Sequence, residues 1–287
     1  RRTIAPSPFE YETVYEYYDD GKLKHVKQIV PGTGGGGSGN NFSSDPHCVA
    51  LWNLESGALT VDSIGSNTLT NSGVTASSTY KQGGYSGDFE KNDSDQMLIS
   101  DANLDSGFPL KSGDTNRKIS VAAWIKPESI VDAYVLGKYD ATNNKRSLGV
   151  LINRSGQIGL ITGHTGGTTY QITYSTTSLS AGSWYHIAGT YDDSNRSWKL
   201  IVWSESSSSI IINMTGTKTS SINVEDAAWV IGNTHNNTGW FDGLIDEVVV
   251  FDDILTTDEI DQIRQGTYGA SAAENVVYLQ SITYNNR

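Results

Sequence analysis

The sequence of 287 residues contains little sulfur and few charges. It has one cysteine and two methionines, and only 18% of its residues are charged. Cys48 cannot form a disulfide within the chain, and it neither favours nor excludes an oxidising compartment. No apolar run approaches the ~18 residues that a membrane-spanning helix needs. We therefore expect no insertion into a membrane.

Positive charge is also scarce. The chain carries 20 Lys and Arg against 32 Asp and Glu, which gives a net charge of −12. No stretch gathers Lys and Arg into a basic stripe, and an acidic chain repels a phosphate backbone. We therefore do not expect the protein to bind nucleic acid.

The abundant residues are those of short strands and turns. Thirty glycines accompany many Ser, Thr and Asn, whereas hydrophobic residues make up 37% of the chain. This composition does not favour helical bundles or coiled coils. Many short strands without interleaved helices predict an all-β sandwich or barrel. The clearest strand-like runs are 48–55, 97–100, 119–126, 148–153, 157–162, 184–192, 198–203, 210–214, 229–232 and 244–251.

One helix is signalled by its caps. Thr256 is the expected N-cap, Glu259 completes a capping box three residues later, and Gly266 marks the end. Ile260 and Ile263 should lie against a sheet.

The chain divides into four segments by composition. Residues 1–31 predict a β-hairpin arm, because two β-prone runs flank a turn signal. Residues 32–41 form a glycine-rich linker, and residues 42–269 form the main domain. Residues 270–287 contain one further strand with no turn that would pair it locally.

The terminal arms predict assembly. An isolated hairpin is marginally stable in water, so the arm must dock on its own domain or on a partner. We expect it to add strands to the exposed sheet edge of a neighbouring copy or a larger protein assembly. The residues expected to provide the fit are Val14, Tyr15, Val26 and Ile29.

Five segments of the main domain follow one another in a familiar order. They are Cys48–Glu55, Val61–Gly65, Ile119–Pro127, Gly182–Asp192, and Trp240–Phe251 together with Leu255–Ile263. In this order they resemble the laminin-G-like branch of the concanavalin A-like lectin/glucanase superfamily, over residues 46–269. One departure lies at residues 200–209, where the family usually has a strand ending in Asp-Gly. The resemblance implies a two-sheet antiparallel jelly roll that often binds sugars or surfaces.

The resemblance also implies a structural calcium ion that ties the first strand of the domain to the last. Asp246, with Glu55 and the nearby Asn53, occupies the matching positions. A carboxylate within an apolar strand is costly to bury unless something pairs with it. Bound Ca²⁺ is one expectation, and hydrogen bonds from backbone N–H groups or from Lys and Arg are the alternative.

Three polar loops with aromatic residues are the candidates for ligand binding. Sugars stack on aromatic rings and form hydrogen bonds at their edges. Such residues concentrate in 232–240, 162–170 and 138–146. The predicted ligand-binding residues are Trp240, His235, Asn236, Asn237, Tyr170, His164 and Tyr139. Packing of Trp240 in the core is the alternative for that residue.

Signatures of catalysis are missing from the sequence. Glycoside hydrolases of this superfamily use carboxylates spaced by two residues on one strand, and no stretch has three acidic residues at i, i+2 and i+4. Carboxylates from different strands could still converge. Nucleophile-elbow, zincin and Walker motifs are absent as well. We expect no enzyme, and a glycoside hydrolase of the same fold is the alternative.

Two functions from different classes fit these observations. One is a secreted carbohydrate-binding or adhesion module that acts alone. The other is a structural and recognition protein displayed on a virion surface or an extracellular array through its terminal arms. We expect the two to be combined, with a lectin-like domain exposed on an assembled particle.

Overall fold

The computed structural model of the chain describes residues 39–234 and 239–269 in full. Of the ends, it describes the backbone of three strands, Glu12–Tyr17, Leu23–Val30 and Asn275–Ser281. The chain forms two compact units. One is Phe42–Tyr268, and the other combines Arg1–Asn41 with Gly269–Arg287. None of the helices described in these ranges has the length and apolar character needed to cross a membrane.

The terminal unit contains a three-stranded antiparallel sheet. Strands β1 (Glu12–Tyr17) and β2 (Leu23–Val30) form the predicted hairpin, with Tyr15 opposite Val26. The sequence contains no local partner for β18 (Asn275–Ser281), which pairs with the distant β2 of the same chain. The sheet order β1-β2-β18 therefore joins the two ends of the chain. The expected fit of Val14, Tyr15, Val26 and Ile29 concerns side chains outside the described residues.

Strands β3 to β17 build the larger unit. In chain order they are β3 Cys48–Trp52, β4 Thr70–Ser72, β5 Thr75–Ser77, β6 Ser86–Phe89, β7 Gln96–Ile99, β8 Lys118–Pro127, β9 Ala133–Asp140, β10 Lys145–Ile152, β11 Gln157–His164, β12 Thr169–Ser178, β13 Tyr185–Asp192, β14 Ser197–Ser204, β15 Ser209–Thr217, β16 Trp229–Ile231 and β17 Gly243–Phe251. One sheet has the order β12-β11-β10-β9-β16-β7-β4. The other has the order β15-β14-β13-β8-β17-β6-β5, with β3 paired to β17.

The core lies between these two antiparallel sheets and confirms the predicted sandwich. Trp52 of β3 stacks on Trp229 of β16 across the sheets, with ring centroids 6.1 Å apart. Phe108 meets Trp229 edge-on at 5.3 Å, and all three rings are buried. Aromatic pairs of this kind add stability to the apolar burial itself.

The helix α1 (Thr257–Gln265) is capped as the sequence predicts. The Thr256 hydroxyl accepts from the Glu259 N–H, and the Glu259 carboxylate accepts from the Thr256 N–H. Gly266 ends the helix with a φ of 72°. Ile260 and Ile263 are buried in a cluster on the outer face of the second sheet.

Two long strands, β9 and β12, are absent from the sequence prediction and correct it, and the short strands β4, β5 and β6 are absent from it as well. Residues 138–146 and 162–170 were expected to be loops, but they lie largely in the hairpins β9–β10 and β11–β12. Gly137 and Lys138 interrupt the apolar pattern of β9. Edge strand β12 is mostly polar, because half of it faces solvent. Strand β9 is held by pairing with β10 and strand β12 by pairing with β11, and hydropathy does not reveal such pairing.

Candidate functional site

Strands β9 to β12 present a face that points away from the sandwich core. Along these strands Val150 and Leu160 belong to the main core, whereas their neighbours Leu151 and Ile161 form a separate cluster with Tyr139. Successive residues of a strand alternate between faces, so this cluster lies on the outside. We call it the tyrosine face, made up of Tyr134, Tyr139, Arg146, Leu151, Ile161, Tyr170, Ile172 and Tyr174.

The strand register places tyrosines at both ends of two rows across this face. One row runs Tyr134, Leu151, Gly159, Tyr174. The other runs Tyr139, Arg146, Gly163, Tyr170. Neighbouring strands lie ~4.8 Å apart, so each row spans ~14 Å.

Two glycines of these strands leave room for tyrosine rings. A Cβ added at Gly159 would lie 2.8 Å from Cδ1 of Tyr174, and one added at Gly149 would lie 3.4 Å from the Tyr134 ring. A larger residue at Gly159 would push the ring outward. The Tyr174 ring therefore lies against Gly159, and the Tyr134 ring lies against Gly149.

The four tyrosines differ in exposure. Tyr170 is 56% exposed, Tyr134 and Tyr174 are half-buried, and Tyr139 is buried. The Tyr134 and Tyr139 rings stack with centroids 5.6 Å apart. Burial raises the pKa of Tyr134 to about 12, so its hydroxyl remains a hydrogen-bond donor at neutral pH.

The structure separates the predicted ligand-binding residues. Tyr139 and Tyr170 lie on the tyrosine face, although on strands and not on loops. His164 is buried in β11, where Nδ1 donates to the Ser221 carbonyl (2.7 Å) and Nε2 accepts from the Thr162 hydroxyl (2.9 Å). His164 is thus held within the packing of β11, and its predicted ligand role stays a prediction.

The loop after β16 is only partly described. His235, Asn236 and Asn237 lie outside the described residues, so their predicted role stays a prediction. Trp240 is half-buried, and the carbonyl of the preceding Gly239 accepts from the Tyr134 N–H at 2.8 Å. Trp240 therefore follows a residue that is bonded to the tyrosine face.

Sequence reasoning missed Tyr134 and Tyr174. Tyr134 lies in β9 and Tyr174 in β12, the two long strands that hydropathy failed to predict. The signal that could have found them is the alternation of tyrosine with polar residues in Thr169–Ser178, which is typical of a strand exposed on one face.

The region of the predicted calcium site is buried. Asp246 of β17 is fully buried, and its Oδ2 accepts from the backbone N–H groups of Lys81 (2.7 Å) and Gln82 (3.1 Å). Its Oδ1 is buried without a hydrogen-bond partner. Burial raises the pKa of Asp246 to about 7, against the effect of these N–H donors.

Glu247 adds a second buried carboxylate that the sequence prediction left out. It has a φ of 51° in a β-bulge, where the register of β17 on β8 shifts. A left-handed backbone at such a residue costs of order 1–3 kcal/mol and is found at functional sites. Its Oε1 accepts from the Asn53 amide at 2.7 Å, and burial raises the pKa of Glu247 to about 7.

These residues offer the oxygen donors that a hard cation prefers, but the carboxylates of Asp246, Glu247 and Glu55 do not all converge within 4.8 Å. Glu55 accepts from the Gly84 N–H at 2.8 Å and lies close enough to raise the pKa values of both Asp246 and Glu247. The Lys81 ammonium pairs with Glu205 instead of with Asp246. Within the described residues neither Asp246 nor Glu247 has an ion-pair partner, and the unpartnered Oδ1 of Asp246 is an oxygen of the type that Ca²⁺ prefers.

A separate group of carboxylates converges from different strands. One oxygen each of Asp88, Glu90 and Glu128 all lie within 4.8 Å of one another, the one such triad in the described ranges. Asp88 is half-buried, and the other two are exposed. Burial, followed by nearby carboxylates, raises the pKa values of Asp88 and Glu90. The sequence search considered longer carboxylate ladders and missed this i, i+2 pair.

The family follows from a sequence profile. Residues 94–261, more than half of the chain, match the Laminin_G_3 profile of the concanavalin A-like lectin/glucanases superfamily. The chain belongs to this superfamily. No curated protein matches it. Membership in the superfamily accounts for the jelly-roll fold but does not by itself fix a ligand.

Solved structures share the superfamily fold. Domain 4 of AbnA, a GH43 extracellular arabinanase from Geobacillus stearothermophilus in complex with arabinotriose, aligns with a TM-score of 0.55 and 18% identity over 76% of this chain and 98% of that one. The binding domain of Paraclostridial Mosquitocidal Protein 1 aligns with a TM-score of 0.58 and 13% identity, over 78% of this chain and 52% of that one. The botulinum neurotoxin serotype D ligand binding domain in complex with N-acetylneuraminic acid aligns with a TM-score of 0.55 and 14% identity, over 77% of this chain and 51% of that one. The match spans about half the length of each toxin domain, and at these identities it shows the fold alone.

Proposed function

We propose that this chain is a non-catalytic carbohydrate-binding module and that it binds glycans on the tyrosine face. The observation that carries the proposal is that four tyrosines lie at the ends of two rows across one outward sheet face. Sugars present apolar C–H faces and polar hydroxyl edges, and tyrosine complements both. The superfamily and the sugar complexes of two of the similar structures support this proposal.

The test is migration in native gels that contain a polysaccharide. We expect the wild type to be retarded by at least one of a panel of plant, fungal and bacterial polysaccharides. The double variant Tyr170→Ala/Tyr174→Ala should lose the retardation, whereas Tyr80→Ala should keep it. Tyr80 is a matched control, since it is 46% exposed and lies between β5 and β6. Equal retardation of the double variant and the wild type would rule out the tyrosine face.

A glycoside hydrolase is the second candidate, and the triad of Asp88, Glu90 and Glu128 is the observation that favours it. Two carboxylates ~5 Å apart suit a retaining mechanism. The exposure of Glu90 and Glu128 argues against it, because a general acid needs a sheltered site to keep a raised pKa. Turnover of a polysaccharide that Glu90→Gln abolishes would establish the enzyme, and an unchanged substrate would support binding alone.

We further propose that the module is displayed outside the cell or on a virion through its terminal arms. In the sheet β1-β2-β18 the two outer strands each pair on one side only among the described strands. An unpaired strand edge is a template for pairing with another chain. The extracellular source of the similar arabinanase domain supports a location outside the cell.

A structural Ca²⁺ ion is part of the proposal. Asp246, Glu247, Glu55 and Asn53 would hold it between β17 and the segment after β3. The ion would neutralise the buried carboxylates, and this chain's residues would contribute only oxygen ligands to it.

A further inference from the structure

The charged groups on and beside the tyrosine face bear on which glycans it can bind. Arg146 lies in the second row, opposite Tyr139, with its guanidinium carbon 6.0 Å from the centre of that ring. A free guanidinium at this place would bind the carboxylate of a sialic acid or a uronic acid through two parallel hydrogen bonds. Whether the Arg146 guanidinium has free N–H donors therefore bears on whether the tyrosine face can bind acidic sugars.

The guanidinium of Arg146 is already occupied. Its NH1 group donates to the Asn144 side chain (2.8 Å) and to the Gly167 carbonyl, and its NH2 group donates to the Ala141 carbonyl (2.7 Å). The only other pair of N–H groups that could bind a carboxylate together includes Nε. This atom is buried and has no hydrogen-bond partner. A ligand carboxylate thus has no open pair of N–H donors on this residue.

Arg154, beyond the end of β10, is neutralised as well. Its Nε donates to Asp132 Oδ2 at 2.8 Å, and its NH2 group binds the same carboxylate. Asp132 also lies close enough to Tyr174 to add to the effect of burial in raising the pKa of that tyrosine. At this end of the face the Arg154 charge is paired with Asp132, although the Arg154 side chain is 82% exposed, and the chain carries a net charge of −12.

The shape of the face indicates how a sugar chain would lie. A site for one terminal sugar is concave and encloses most of its ligand. Here the Tyr134 and Tyr174 rings lie against Gly149 of β10 and Gly159 of β11, and each row extends over ~14 Å. In the first row the half-buried Tyr134 and Tyr174 lie at opposite ends, where one sugar residue cannot cover both. In the second row only Tyr170 is exposed, because Tyr139 is buried.

We propose that the tyrosine face binds an uncharged polysaccharide along its length, through sugars inside the chain and not through a charged or terminal sugar. This rests on the proposed glycan binding and narrows its ligand class. It sets the chain apart from the neurotoxin domain that was solved with N-acetylneuraminic acid.

The test is calorimetric titration of the full chain with defined probes. The uncharged probes are xylo-, cello-, manno- and arabino-oligosaccharides of one to six residues, and the charged probes are oligogalacturonates and oligosialic acids of the same lengths. In at least one uncharged series we expect affinity to rise at least tenfold from the monosaccharide to the trimer or tetramer and then to level off. Tyr170→Ala and Tyr174→Ala should each lower the affinity of the longest ligand at least fivefold, with Tyr80→Ala unchanged.

The outcomes separate this inference from the proposed function. Preference for a charged series, or a monosaccharide that binds as tightly as the hexamer, would overturn the inference while leaving a carbohydrate-binding module. Binding of no carbohydrate in the titration or in the polysaccharide gels would overturn both. Binding that Tyr170→Ala and Tyr174→Ala leave unchanged would move the site elsewhere and also overturn the inference.

Discussion

Tyr174 on β12 lies directly opposite Gly159 on β11, and a Cβ at Gly159 would approach Cδ1 of the tyrosine ring to 2.8 Å. Gly159→Ala should therefore displace the ring, destabilise the protein by about 1–3 kcal/mol and weaken glycan binding. Urea denaturation and gel retardation measure the two effects. Gly107→Ala is the control, since no heavy atom lies within 4 Å of its added Cβ. Equal stability of the two variants would contradict the packing described for the face.

Lys138 and Asp101 form a buried ion pair, with Nζ and Oδ1 2.8 Å apart. Asp101→Asn should cost ~3–5 kcal/mol, because it leaves the ammonium buried without its counter-ion. Lys138→Met should cost less, since Asp101 is 7% exposed and keeps the Ser112 N–H as a donor, whereas Lys138 is fully buried and would keep only the neutral Glu225 carbonyl. The double variant should be more stable than Asp101→Asn alone. Chemical denaturation checks this order, and a larger loss for Lys138→Met would reverse the argument.

Lys218 predicts a pH dependence of stability. It is buried, its ammonium lies 4.8 Å from the centre of the Trp198 ring, and burial lowers its pKa from 10.5 to about 8. Below pH 8 both folded and unfolded states are protonated, so the burial penalty is fully present. Between pH 8 and 10.5 the unfolded state binds more protons, so this residue's contribution to stability rises with pH.

The variant Lys218→Met isolates this effect. It should be more stable than the wild type at pH 7, by up to ~3 kcal/mol, since each pKa unit corresponds to about 1.4 kcal/mol. The difference should shrink between pH 8 and 10.5. Denaturant titrations across this range measure it, and a difference that does not vary with pH would assign the effect to packing.

The proposed calcium site predicts stabilisation by the metal. After removal of metal by a chelator, calcium at ~100 times its dissociation constant should raise the Tm by ~5–10 °C. Asp246→Asn should abolish the rise. Glu128→Gln, in the separate carboxylate triad, should leave it intact. If Glu128→Gln alone abolished the rise, the ion would belong to the triad, and no rise in the wild type would remove calcium from the proposal.

The terminal arms predict self-association of the intact chain. The full protein should sediment as an oligomer or join a larger particle at micromolar concentrations, whereas a fragment of residues 41–269 should sediment as a monomer. The reason is that the outer strands β1 and β18 offer unpaired edges and the fragment lacks them. If both sediment as monomers, the terminal sheet serves its own chain and assembly through it is wrong.

Short sequence motifs predicted those helices and strands whose ends are determined by residues close in sequence. The caps Thr256 and Gly266 set the helix ends, because capping involves residues within one turn. The β1–β2 hairpin follows from the turn signal between its two strands. The strands that line the core, such as β8 and β17, were recognisable because long apolar runs are rare outside a core.

Tertiary structure alone decided the candidate site. Alternation along a strand tells which residues share a face of that strand, but it does not tell which strand lies beside it. Tyr134 and Tyr174 meet on one face only through the register of four strands, and the bulge at Glu247 exists only because β17 pairs with β8. The fold class was therefore predictable from residue patterns, whereas the site depended on long-range strand pairing, which those patterns do not contain.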